Sequence, residues 1–201
     1  MRLAAIVLSL TASARADGFY YNQSYGISSA RSDGAAMLGT SLQLRIALGW
    51  RFGALSIGPW VAGHVAIARE GALLGLVGGD PPPGDSDLKT VGADARYNAA
   101  IKEHLSIYVR GGPRYAVGEG ALAGYSGVGI GVGTGVQLTG RVRALGFLFA
   151  PLFFTQRGPM IQATVFLDEN VEWYRLDALG MKSLSVPLVG TSIGIGAGSY
   201  F

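Results

Sequence analysis

The chain has no cysteine, little charge and, beyond its first residues, no long apolar run. No cysteine among 201 residues excludes disulfide staples and thiolate metal sites. Charged residues make up 14% of the chain, against about a quarter in an average soluble domain. No internal stretch approaches the roughly 18 apolar residues of a transmembrane helix, and the longest helix-like piece, residues 72–77, is far shorter. Yet 49% of the chain is hydrophobic and glycine occurs 32 times. The apolar residues are therefore dispersed, and the way they are dispersed carries the information.

The opening MRLAAIVLSLTASARADG has one basic residue, Arg2, an apolar run over residues 3–10 and the triplet Ala14, Arg15, Ala16. This is the layout of a secretory signal peptide with an A-x-A cleavage site. The expected organisation is a signal peptide over residues 1–16 and one mature domain over residues 17–201. Cleavage removes Arg2 and Arg15 and leaves 14 basic against 13 acidic residues. That near balance gives no electrostatic ground for binding nucleic acid.

Residues 38–50, LGTSLQLRIALGW, show the dispersal most plainly. Leu38, Thr40, Leu42, Leu44, Ile46, Leu48 and Trp50 alternate with Gly39, Ser41, Gln43, Arg45, Ala47 and Gly49, a strand with one apolar and one small or polar face. About a dozen residues matches a tilted strand crossing a bilayer, which needs roughly 9–11. Residues 19–28 alternate loosely, and Arg51, Phe52 and Gly53 read as a tight turn. Residues 55–68 alternate again, with a bulge or local break expected at Pro59, which lacks a ladder donor. Residues 78–87, GGDPPPGDSD, form a loop, assigned to the extracellular side where barrels keep their longer loops.

Strands are predicted over residues 90–101, 105–117 and 125–138. The last is the most regular, with Val128, Ile130, Val132, Thr134, Val136 and Leu138 facing one way and a row of glycines facing the other. Residues 145–154 are apolar on both faces, 161–168 alternate, and 169–177 read equally as an extension of that strand or as a charged loop. In residues 183–201 the apolar phase flips, which implies a bulge or turn near Gly190. The count is nine if the flip is a bulge. Single-chain bacterial barrels have even numbers, so either a turn at Gly190 gives ten, or reading residues 169–177 as loop while merging a hairpin gives eight.

The apolar face is almost wholly Leu, Ile, Val and Ala, with Trp50, Tyr97 and Tyr115 toward strand ends. The other face is Gly, Ala and Ser punctuated by Arg45, Arg96, Arg110, Arg114, Asp94, Gln43, Tyr108, Trp60 and His64. Small residues opposite long ones fill a narrow barrel interior, and an aliphatic outside with aromatic ends suits lipid. A soluble barrel would place the apolar face inward and a solvated mixture outside. The composition of the polar face favours the membrane orientation.

A terminal aromatic, Phe201, after an alternating last strand resembles the C-terminal signature of outer-membrane barrels, and the whole mature chain resembles the small barrel families of Gram-negative bacteria. The resemblance implies an all-β, up-and-down transmembrane barrel of 8 to 10 strands in the outer membrane. It implies contact with outer-membrane lipid and lipopolysaccharide, and recognition of Phe201 by the barrel-assembly machinery. From the residues themselves, weighed below, no cofactor and no catalysis are expected.

Three functional classes follow. The first is a structural or surface-interaction protein working through its loops. The second is a narrow passive channel for small anions: four lumen arginines against the single acid Asp94 leave an uncompensated positive balance, which favours a wet lumen. The third is a lipid-acting enzyme. His104, Ser106 and Glu119 are similar to the His, Ser and Glu of outer-membrane lipid A deacylases, but the flanking sequence KEHLSIYVRGG departs from that family. The alternation also puts His104 and Ser106 on the lumen side, away from lipid. His64 stands alone and Asp80, Asp85 and Asp87 lack calcium-loop spacing, so no metal site is expected. Nor does the glycine row within a strand form a phosphate cradle.

Overall fold

In a computed structural model, the protein is described over residues 18–31, 38–68, 86–141 and 161–199. Eight strands, β1 (Gly18–Ala30), β2 (Thr40–Phe52), β3 (Leu55–Ala68), β4 (Ser86–Lys102), β5 (Leu105–Gly120), β6 (Ser126–Arg141), β7 (Ile161–Asp177) and β8 (Leu184–Ser199), pair antiparallel with their neighbours. β8 closes on β1 to complete the barrel. The expected signal peptide, Phe201, residues 145–154 and most of the 78–87 loop lie outside the described residues. Of that loop, Ser86 and Asp87 already belong to β4.

The short turns after β2 and β4 lie at the same end as the start of β1 and the end of β8. Gly53, with φ +58°, supplies the left-handed conformation that the first turn needs. By the rule that short turns face the periplasm, the opposite end, with the connections after β1, β3, β5 and β7, is the outer one.

Period-two alternation holds in every strand. Leu42, Leu44, Trp50, Ile57, Val61, Val65, Val91, Val109, Val128, Ile130, Val132 and Ile193 are exposed on the outside, whereas Gln43, Arg45, Asp94, Arg96, Arg110, Arg114, Asp168 and Glu172 are buried within. An exterior that is apolar and an interior that is charged invert a soluble protein, and hydrocarbon is the medium that makes this stable.

The structure decides three readings that the sequence leaves open, on residues 169–177, the strand count and Pro59, and overturns one, at Gly190. β7 runs unbroken from Ile161 to Asp177, so residues 169–177 are strand. β6 pairs directly with β7, and the closed barrel counts eight strands among the described residues. No bulge or turn occurs at Gly190: β8 keeps one register against β7 and β1, and the apolar phase flips because Leu184, Val186 and Leu188 point inward. At Pro59 the β2–β3 ladder lapses between Ala47↔Trp60 and Trp50↔Ile57 without changing register, a break and not a bulge.

The inward Leu184, Val186 and Leu188 belong to an apolar cluster with Ala30, Leu38, Leu88, Ala116, Leu122, Tyr125, Tyr174 and Leu176. Leu38 and Thr40, assigned above to the outer face, are buried; Leu38 precedes β2 and packs into this cluster. The cluster occupies the outer mouth of the barrel. Leu122, in the connection after β5, covers it from above.

Candidate functional site in the barrel interior

Below the apolar mouth the interior is charged, and several of its long side chains lie against a glycine. A Cβ on Gly129 would lie 2.7 Å from the Tyr174 ring, one on Gly133 would lie 3.1 Å from Arg110 Nε and one on Gly135 would lie 2.5 Å from the Tyr108 ring. A Cβ on Gly131 would collide with the Arg114 guanidinium. The glycine row of β6 is thus the space into which the long residues of β5 and β7 fold.

Asp94 is the centre of the network. Its Oδ2 accepts from Arg45 Nη2 at 2.5 Å and from Arg110 Nη1 at 2.8 Å, and Arg114 Nη1 lies 3.4 Å from Oδ1. Arg110 reaches on to Asp168, donating from Nε at 3.1 Å and more closely from Nη2. Arg114 Nε is 3.2 Å from Glu172 Oε1, and Arg114 Nη1 donates to the carbonyls of Gly112 and Gly131 at 2.7 and 3.1 Å. Tyr174 donates to Glu172 Oε2 at 2.6 Å and Asn170 to Oε1 at 3.1 Å.

Arg45, Asp94, Arg110 and Asp168 therefore form a chain of ion pairs from β2 to β7 across the lumen. The Arg45 guanidinium also stacks 4.1 Å above the Trp60 ring. Nearer the turns, Arg96 lies 3.5 Å over the Tyr108 ring and donates to Asn98 Oδ1 at 3.0 Å and to Gln137. His64 is buried on the apolar side, its Nδ1 3.0 Å from Ser28 Oγ.

The six lumen residues named from the sequence are all inside and all tied into ion-pair or hydrogen-bonded contacts, five of them in the charged network and His64 through Ser28. The charge balance assigned to them is corrected. Asp168 and Glu172 join Asp94, so four arginines meet three buried acids. Both missed acids lie on the inward phase of β7, a phase obscured in the sequence by Glu169, Arg175 and Asp177 on the outward one. The space left among Ser24, Arg45, Trp60, Asp94, Arg110 and Asp168 is about 40 Å³, enough for a few water molecules.

The three residues similar to a deacylase set are not brought together. His104 and Ser106 line a pocket of about 90 Å³ at the turn end, whereas Glu119 sits at the other end of β5, 2.5 Å from Lys89 Nζ.

The chain shares this architecture with Neisserial surface protein A, with 18% identity, a TM-score of 0.55 and coverage of 92% of this chain and 97% of that one. The fold is that of the small outer-membrane barrels. Ail of Yersinia pestis (15% identity, TM-score 0.47, 91% and 98% covered) and OprG of Pseudomonas aeruginosa (12%, 0.47, 94% and 99%) are looser matches and add nothing to that assignment. No family model and no curated protein matches the chain. The same barrel fold is built here from a sequence with little in common with that of Neisserial surface protein A.

Proposed function

We propose that this outer-membrane barrel is a closed one, acting without catalysis as a structural and surface-interaction protein at its outer rim. The observation that carries the reading is the interior: an apolar mouth above a cross-lumen chain of ion pairs, with a space of about 40 Å³ left beside the ion pairs. A solute would have to displace buried partners whose separation costs several kcal/mol each.

The rim supplies the surface. Between β7 and β8, Leu179 is fully exposed and Met181 largely so, on a connection shaped by Gly180 at φ +73°. Among the described residues nothing covers them, and apolar tips in water suit contact with a partner surface or with the acyl region of outer-membrane lipid and lipopolysaccharide. Export by a cleaved leader over residues 1–16 and assembly through Phe201 complete the proposal.

The test is ion conductance of the protein inserted in a planar bilayer, with insertion verified by the gel-mobility difference between unheated and heated samples. The closed reading predicts no discrete conductance steps from the wild type. Steps with anion preference, weakened in Arg110→Ala, would instead establish the narrow channel.

A further inference from the structure

Among the described residues, one carboxamide and one carboxylate interrupt the lipid-facing band near mid-strand, and they differ in how they are satisfied. Gln23 on β1 is held by its strand neighbours: Tyr21 donates to Gln23 Oε1 at 2.8 Å, and Gln23 Nε2 donates to the Tyr25 hydroxyl. Glu169, the central residue of β7, faces outward and has no side-chain partner among the described residues. A carboxylate placed against hydrocarbon is costly, and such a group marks a site unless something satisfies it.

Its surroundings are shaped as a site. Glu169 is registered against Thr134 on β6 and Thr191 on β8, so three oxygen-bearing side chains stand side by side at one depth. The Thr134 hydroxyl donates to the Tyr108 carbonyl at 3.0 Å, which leaves its lone pairs as acceptors. These residues edge a groove of about 740 Å³ that continues along Val109, Val132 and Val189 and over the side-chain-free Gly111. That volume falls within the roughly 300–1,000 Å³ of small-molecule sites.

We infer that this groove is a lipid-side binding site for an alkyl amine, its ammonium held by Glu169, Thr134 and Thr191 and its chain laid along the valines. An ionised carboxylate only accepts, and a primary ammonium offers three donors, matching three acceptors in number and charge. A second copy of the chain is a poorer occupant. The exposed cations of the described strands, Lys89, Lys102 and Arg175, lie toward strand ends, Arg31 and Lys182 lie beyond them, and Lys89 and Arg175 are already beside Glu119 and Asp177.

The test is amide NMR of the ¹⁵N-labelled protein in phosphatidylcholine nanodiscs titrated with dodecylamine, with dodecane as the control. The expected result is saturable shifts confined to residues 132–134, 169–171 and 189–191, absent with dodecane and at least tenfold weaker in apparent affinity for Glu169→Gln. Thr191→Val, which keeps the carboxylate, should weaken binding by a smaller factor. The barrel spectrum of each variant checks its fold directly. Shifts spread over the whole outer face, equal shifts with dodecane, or unchanged affinity in Glu169→Gln would overturn the inference. Glu169-dependent cross-linked dimers without an amine response would do so too, by giving the groove to a second copy.

Discussion

Arg110 joins two acids, Asp94 and Asp168, and its loss would leave both less compensated in a sealed interior. Removing one partner from a buried pair costs about 3–5 kcal/mol, so Arg110→Ala should lower stability by that order in reversible urea unfolding from lipid vesicles. Replacing both partners, in Arg110→Met with Asp168→Asn, should cost clearly less than the sum of the single changes, because neither charge is then orphaned. Additive losses would mean that the pair is not coupled. The glycines make a sharper case. Gly131→Val drives a side chain into the Arg114 guanidinium and should cost about 1–3 kcal/mol, while at Gly63, where an added Cβ meets nothing within 4 Å, Gly63→Val should be near neutral in the same assay. Equal effects would show that the small residues of β6 are not there to make room.

Elements cross the membrane here by alternation alone, so the face a residue occupies decides what it tolerates. Leu44 is outward on β2, away from the strand ends, and Leu44→Arg should cost roughly 2–4 kcal/mol on insertion. Phe52→Arg, at the turn-end margin of the same strand, should cost about 0–1 kcal/mol. Matching values for the two would contradict the depth assigned to β2. On β8 the prediction runs the other way along one strand. Leu188→Ala opens a cavity in the buried mouth and should cost about 2–5 kcal/mol, whereas Ile193→Ala exchanges one lipid contact for another and should cost less.

These elements also show what the sequence makes legible. Residues 42–50 and the glycine row of β6 display the period and the face on inspection, because each position there obeys one environment, whereas Leu38 and Thr40 at the mouth do not. β7 and β8 were harder to read for physical reasons. Glu169 puts a charge on the lipid side, so that β7 resembles a loop. The inward face of β8 changes medium along its length, from apolar at the mouth to small and polar below, so that a straight strand resembles a bulged one. The four arginines were visible as lumen residues. Their partners Asp168 and Glu172 were not, because partnership across a closed sheet depends on a register that only the closed barrel sets.

At the scale of the whole molecule, eight strands enclose an interior just wide enough for side chains, and this chain fills it in two tiers, apolar at the outer mouth and ion-paired beneath. The absence of cysteine makes that arrangement directly measurable, since any thiol introduced is the sole one present. Ser24→Cys, facing the lumen, and Ala93→Cys, facing lipid, exchange small residues for a small residue. Each should be challenged in vesicles with a membrane-impermeant aqueous maleimide and with a lipid-soluble one. A closed barrel of this orientation predicts that the thiol at 93 reacts with the lipid-soluble reagent alone and that the thiol at 24 reacts with neither until the protein is unfolded. Rapid aqueous labelling at 24 in the folded protein would contradict the closed lumen, and aqueous labelling at 93 would contradict the orientation of the barrel itself.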